Sequence, residues 1–514
     1  MYQTQRKAAR MSARRGTSRA SANASPGSAA TKFMIGTALF GCMFILFTVH
    51  HLTPEAGLDE PLPRARPLEQ PVTSSGNLQA QNSNDKVNTP PQQAQALQEN
   101  GVKYHHIFST GCSSFQDWQS YVFYVHVLKS GQQGDVTRVA ACKTDEEADK
   151  LRAYHKEYIE PMSPNFHLHI TPDYTGFKDG HDFKYFNKPF STHHFMENVL
   201  GYNPQHQKVG DNPNDDTIVV LFDPDQAIMR PFTDNHFDND YEVWVKRTSH
   251  PIEATVTHGK PMAQLYGFGN QWKTKTNITR YVPASELPSF VQTMSREEEL
   301  ENYSVGPPYM ATAHDFYKIA TKWKDFVPLV HDDYPHLLAE MFAYCLAAAH
   351  LKLPHQVAKS FMVSDAGAGK SLEGWGLIDS YSRRDMCTPG AIPKERLPHV
   401  LHYCQRYILG KYVIGKHRVP HTFLSCEDPL FVEPPPDIGE KYNFAIEPDR
   451  KEDVKKDLPV TTISNHAFML CHLLPILNEA AIYFKDHHCE GKTVNREKTL
   501  VFYNSMEIDP KFFQ

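Results

Sequence analysis

Residues 217–228 read TIVVLFDPDQAI. Ile218 to Phe222 are uncharged and strand-favouring, and they run directly into Asp223-Pro224-Asp225. An unbroken apolar run of this kind reads as a buried strand. Pro224 holds its φ at about −65° and has no N–H, so it ends the ladder and stiffens the turn. If the chain stays extended, Asp223 and Asp225 leave the same face of the backbone. Two neighbouring carboxylates repel, and a cation between them reverses that term. Hard oxygen ligands suit Mg²⁺ or Mn²⁺, which keep positions open for phosphate oxygens. The plain alternative is an Asp-Pro-Asp turn that caps the following segment.

The flanking sequence sets this strand in a regular pattern. YHHIFSTGC (104–112), VTRVAAC (136–142) and FHLHITPDY (166–174) read as strands. QDWQSYVFYVHVLKSG (116–131) has Trp118, Val122, Val125 and Leu128 at helical spacing, with Gly131 as a stop. NKPFSTHHFMENVLG (187–201) has Pro189 early and Gly201 at its end. Strand and helix alternate, which predicts an α/β fold with a mainly parallel sheet flanked by helices. In such sheets ligands bind beyond the carboxyl ends of the strands, where the two aspartates fall.

Two further stretches carry candidate chemistry. LLAEMFAYCLAAA (337–349) is a helix pattern with one charge, Glu340. A helix apolar all round is buried, so that carboxylate must be paired or its pKa rises. It either braces a loop or meets a substrate. LHYCQRYILGKYVIGK (401–416) offers His402, Gly410, Lys411 and Lys416. A histidine can complete a metal shell and a lysine can neutralise a diphosphate. Among 28 histidines a single one is more often structural. SDAGAGKS (364–371) imitates a phosphate-binding loop but has Ser364 where that pattern needs glycine, and LEGWG after it starts no helix. A surface loop is expected there.

The first hundred residues have another character. Residues 33–49, FMIGTALFGCMFILFTV, carry no charge. Seven basic residues and no acid precede them, whereas Glu55, Asp59 and Glu60 follow. This predicts a cytosolic tail (1–32), a signal anchor crossing the membrane (33–52) and a chain lumenal beyond it. A cleaved signal or an organellar transit peptide fits less well, because small residues at a cleavage site are missing and the apolar block is unbroken. Residues 53–100 are rich in Pro, Gln, Asn and Ser and read as a disordered stem. The rest, 40% hydrophobic across the whole chain, is globular in composition, and a net charge of −6 gives no basic field for nucleic acid. Eight cysteines lie beyond residue 100, enough for four disulfides of unreadable pairing or for buried free thiols. Asn277 and Asn302 begin glycosylation sequons.

The order strand-DPD, buried AEMFAY helix, then His-Tyr followed by a glycine and a lysine resembles the plant and algal hydroxyproline O-arabinosyltransferase and peptidyl serine α-galactosyltransferase group. FQDWQSYVFYVHVLKSGQQGDVTRVAAC, NKPFSTHHFM and AAAHLKLPHQV support the match, which spans about residues 105–420. The resemblance implies a GT-A glycosyltransferase in residues 101–420, with 421–514 as an extension packed on it. It further implies a type II protein of the Golgi or ER membrane, a UDP-sugar donor (arabinofuranose or galactose), and hydroxyproline or serine of a secreted or cell-surface protein as acceptor. Under the resemblance Asp223, Asp225 and His402 hold Mn²⁺ or Mg²⁺. Asn187, Lys188 and Lys416 face the donor along with both aspartates. Glu340, beside Met341, is the catalytic candidate, and Trp118-Gln119 matches a further pair. Retention of anomeric configuration is implied, so no dedicated base is needed. The sequence departs from the family at Phe342-Ala343-Tyr344 and at Lys411-Tyr412. A non-catalytic sugar- or nucleotide-binding protein of the same fold is the alternative. A metal-dependent hydrolase ranks last, because no second acid pair stands in comparable context.

Overall fold

A computed structural model describes residues 101–500, apart from short stretches at 178–181, 233–234, 238–241, 370–371 and 449–452. The expected tail, anchor and stem lie outside the described residues.

The principal sheet has seven strands in the order β3-β2-β1-β4-β7-β6-β8. They are β1 (Tyr104–Gly111), β2 (Asp135–Cys142), β3 (Phe166–Pro172), β4 (Ile218–Phe222), β6 (Met262–Leu265), β7 (Val305–Thr312) and β8 (Gln356–Ala358). Four neighbouring pairs run parallel; β7 alone runs against its neighbours β4 and β6. The predicted α/β class with a mainly parallel sheet is therefore met.

Six long helices flank the strands: α1 (Ser114–Ser130), α2 (Asp145–Tyr158), α3 (Asn187–Asn198), α4 (Ala313–Asp333), α5 (Ala339–His350) and α6 (Val460–His488). β4 is buried on both faces, as its unbroken apolar run requires. Ile218, Val220 and Phe222 join the core shared with α1 and α6, while Val219 and Leu221 join the core under α3, α4 and α5. This two-residue alternation fixes the register of β4, since a slip of one residue would exchange the two faces.

β7 holds Gly306-Pro307-Pro308 inside a central strand, where proline removes ladder donors. The ladder to β6 goes around them: Ala263 pairs with Tyr309 and Gln264 with Gly306, with a register shift between. The gap spares both prolines the N–H they lack. A second, three-stranded sheet, β5-β10-β9, extends from the mouth of β4. It contains β5 (Gln226–Ile228), β9 (Met362–Val363) and β10 (Val400–His402). The hairpin β11 (Arg406–Leu409) and β12 (Tyr412–Gly415) follows. Its turn uses Gly410 at φ 56°, where a Cβ would stand 2.4 Å from the Tyr442 ring.

Among the described residues α6 alone is long and apolar enough to cross a membrane, and 67% of its apolar window is buried inside the molecule. It packs on α1, where His126 Nε2 meets Ile476 O at 3.0 Å. Disulfides join Cys387 to Cys471 and Cys426 to Cys489, tying α6 to the preceding loops, and Cys112 to Cys142, tying β1 to β2. Cys345 and Cys404 are free thiols, so the eight cysteines form three bridges rather than four. Of the two sequons, Asn277 is exposed. Asn302 is 1% exposed, and its side chain accepts from Arg247 Nε and donates to Glu298 O. The folded chain has no room for a glycan on Asn302.

Candidate active site

The turn after β4 is closed by one residue, through its backbone and its side chain. Gln226 N donates to Asp223 O at 3.2 Å, and Asp223 N donates to Gln226 Oε1 at 3.0 Å. β5 then pairs antiparallel with β10, setting His402 opposite Gln226, and Tyr403 N donates to Asp225 O at 3.0 Å. This ladder brings His402 to the aspartates across more than a hundred residues of chain. His402 Nε2 stands 3.3 Å from Asp225 Oδ1 and 3.9 Å from Asp223 Oδ2. One ligand atom from each of the three lies within 4.8 Å of the others.

Two lysines close on the cluster. Lys416, just after β12, pairs with Asp225 Oδ2 at 2.6 Å. Lys188, in the first turn of α3, pairs with Asp223 Oδ1 at 2.7 Å and Glu340 Oε2 at 3.3 Å. Glu340 lies in the first turn of α5, where the helix dipole favours a negative charge. Trp323 Nε1 donates to its backbone carbonyl at 2.8 Å. Three carboxylates thus share two ammonium groups.

The protonation states follow from burial and these pairings. Burial works against the charge on Asp225, but Lys416 and His402 outweigh it and hold the carboxyl far below its usual range. Burial also opposes the imidazolium of His402, yet Cys404 and Asp225 raise its pKa well above the ordinary value. Lys188 is raised in the same sense: burial opposes its charge, and Asp223 and Glu340 prevail. Glu340 goes the other way. The residue is 2% exposed, and burial pushes its carboxyl pKa up to about 7 against the pull of Lys188. Lys188 sits closer to Asp223 than to Glu340, so Glu340 receives the weaker share.

Glu340 Oε1 and Tyr309 OH are buried without a hydrogen-bond partner among the described residues. Tyr309 interacts electrostatically with Glu340, and its ring stacks on Tyr344 with centroids 3.7 Å apart. Tyr185 lies among Lys416, Lys188, Asp225 and Glu340. An acceptor and a hydroxyl kept apolar-packed yet unsatisfied fit a polar ligand, because leaving such groups unpaired costs about 1–3 kcal/mol each. Two carboxylates and one imidazole fit a divalent ion of the Mg²⁺ or Mn²⁺ kind.

Of the residues singled out in the sequence, Asp223, Asp225, His402, Lys188, Lys416 and Glu340 come together. Asn187 sits at the edge: its side chain accepts from Tyr174 N at 2.6 Å and donates to Asp173 Oδ1 at 2.7 Å, tying the loop after β3 to α3. Trp118 lies in the α1 core against Tyr403, 6.1 Å between ring centroids. The 364–369 loop is no phosphate cradle. Its Ser364 and Asp365 amides are bound by buried Glu373, whose pKa burial pushes up to about 7. Sequence reading did not reach Tyr185, Tyr309 or Gln226. Gln226 was within sight, since it follows the DPD directly.

No family model matches the chain. It is similar to peptidyl serine alpha-galactosyltransferases. One, of Arabidopsis thaliana, is 23% identical over 350 residues, covering 65% of this chain and 34% of the relative. Another, of Chlamydomonas reinhardtii, is 23% identical over 336 residues, covering 62% and 36%. The chain thus spans about a third of the length of the curated relatives it matches. The resemblance read from the motifs is met by relatives bearing that name. Among solved structures, the galactosyltransferase LgtC with donor and acceptor sugar analogues shares 10% identity at a TM-score of 0.30, covering 59% of this chain and 87% of LgtC. The bifunctional glycosyltransferase WbbM shares 9% at 0.30, covering 60% and 46%. At those scores the likeness carries no weight for the fold.

Proposed function

We propose that the chain is a glycosyltransferase that moves a sugar from a UDP-sugar to a hydroxyl of a protein. The observation that carries this reading is the meeting of Asp223, Asp225 and His402 at the mouth of β4, flanked by Lys188 and Lys416. The similarity to peptidyl serine alpha-galactosyltransferases supports galactose as donor sugar and serine as acceptor. Arabinofuranose and hydroxyproline are the other pair in the group it resembles. The reading includes a GT-A domain over 101–420, an extension over 421–514, a membrane anchor over 33–52 and a Golgi or ER lumenal site.

Asp223, Asp225 and His402 would hold the divalent ion, Mn²⁺ or Mg²⁺. When bound, that ion supplies positive charge against the departing diphosphate. Lys416 and Lys188 add ammonium charge beside the same carboxylates, where diphosphate oxygens would otherwise be repelled. Glu340 Oε1 accepts from a hydroxyl of sugar or acceptor, and Tyr309 OH supplies the matching donor. As an anion Glu340 also offsets positive charge that builds on the sugar ring as its bond to the diphosphate lengthens. Water is kept from this end of the site by the apolar packing of α5 against β7.

Asp225→Asn removes a ligand charge and the partner of Lys416 while keeping side-chain volume. It should abolish sugar release from UDP-sugar and leave the fold intact. Undiminished turnover would refute the assignment. Retained ion-dependent UDP binding with no sugar release from the wild type would favour the non-catalytic alternative.

A further inference from the structure

The three candidate metal ligands are braced by a sulfur. Met362, on β9, is 2% exposed, and its backbone N donates to Gln264 Oε1 at 2.9 Å. His402 Nδ1 lies 3.2 Å from its thioether; Gln226 Nε2 at 3.6 Å and Tyr266 OH at 3.8 Å reach the same sulfur while also donating to Pro307 O, each at 3.3 Å. A thioether has lone pairs and no hydrogen, so it can only accept. The nitrogen of His402 that carries the proton in the neutral ring is therefore Nδ1. Nε2, facing Asp225 and Asp223, is left with the lone pair that a metal ligand needs.

The same sulfur reaches the other arm of the cluster. Gln226, which donates to Met362 Sδ, accepts from Asp223 N through its Oε1. One buried atom thus touches the residue that shapes the Asp223 turn and the ring that meets both aspartates. Metal-binding histidines usually rest their second nitrogen on a carboxylate or a carbonyl. Here the partner of Nδ1 is the Met362 sulfur, and Cys404 is the other side chain that bonds His402.

We propose that Met362 is the positioning residue of the divalent-ion site: its sulfur selects the His402 tautomer and ring orientation that present Nε2 to the ion. Met362 touches neither ion nor sugar. The inference rests on reading Asp223, Asp225 and His402 as the ion's ligands.

The test is Mn²⁺ titration of the full-length protein saturated with UDP, with free Mn²⁺ followed by electron paramagnetic resonance and no sugar turnover involved. Met362→Leu keeps the volume and deletes the acceptor. It should weaken Mn²⁺ binding about tenfold, the lower end of what loss of an outer partner costs such histidines, with an unchanged melting temperature. Met362→Gln restores an acceptor oxygen and should regain most of that loss; where the leucine variant fails to fold, Met362→Ile, which also lacks an acceptor, takes its place with the same expected loss. Wild-type affinity in Met362→Leu overturns the proposal, and so does equal weakening in the leucine and glutamine variants, which would mean packing alone. Asp225→Asn separates the two readings. If it binds Mn²⁺ as the wild type does, the ion site itself is wrong and Met362 falls with it. If it loses Mn²⁺ while Met362→Leu does not, only the role of Met362 fails.

Discussion

Glu340→Gln is expected to move stability and activity in opposite directions. The fold holds the Glu340 carboxyl at about 7, against an ordinary value of 4.5. Below the ordinary value both folded and unfolded chains keep the proton, and Glu340 costs nothing. Between the two values the unfolded chain releases its proton while the folded one retains it, so the folded state loses ground as pH rises. Above 7 the whole penalty stands, about 3 kcal/mol at 1.36 kcal/mol per tenfold change in proton affinity. Glutamine removes the charge and keeps the shape. At about pH 8 the variant should therefore melt about 3 °C higher than the wild type, a gain that disappears towards about pH 4.5. At about pH 8, where the wild-type carboxyl is ionised, sugar transfer by the variant should be lower by about a hundredfold, the size expected from loss of one preorganised charge at the reacting centre, and the gap should narrow as pH falls below 7. Thermal shift across pH and UDP release on the same preparations measure both. A variant less stable than the wild type at every pH would show that Glu340 is a brace for α5. That result would refute the reasoning.

Other substitutions probe other parts of the site. Lys416→Met deletes the ammonium beside Asp225 and should cost about 2–3 kcal/mol of transition-state stabilisation, read as a fall in kcat/KM for the UDP-sugar from initial rates. Gly410→Ala forces a side chain into positive φ and into the Tyr442 ring, and should cost about 1–3 kcal/mol in chemical denaturation. Under denaturing, non-reducing conditions a fragment beginning at residue 101 should show two titratable thiols, Cys345 and Cys404, by maleimide mass addition. In a secretory host, Asn277→Gln should remove glycan mass and Asn302→Gln should not, since Asn302 is enclosed.

Much of the sheet was legible because its strands are buried on both faces. The run Ile218–Phe222 has no polar break, and the neighbouring strands and helices follow the same rule of burial and spacing. β7 was not legible, since Gly306-Pro307-Pro308 carries the mark of a turn and only a register shift in β6 makes it tolerable as a strand. In the site, Asp223 and Asp225 stand out by following an apolar strand, and Glu340 by being charged in an apolar helix. His402 and Lys416 carry no local signal among many similar residues; the family motif order pointed to them. Tyr309 and Met362 have none at all. Each looks like an ordinary core residue until the chain folds and sets a hydroxyl beside Glu340 or a sulfur beside His402.

The central claim is that the Asp223–Asp225–His402 cluster serves sugar transfer through a divalent ion. It is tested most directly by incubating the purified protein with a panel of UDP-sugars and serine- or hydroxyproline-rich peptides. UDP release and peptide mass would be followed with Mn²⁺ or with EDTA. The account predicts glycosylated peptide from one UDP-sugar with Mn²⁺, none with EDTA, and none from Asp225→Asn under either condition. Transfer that persists in EDTA, or survives in Asp225→Asn, would contradict it.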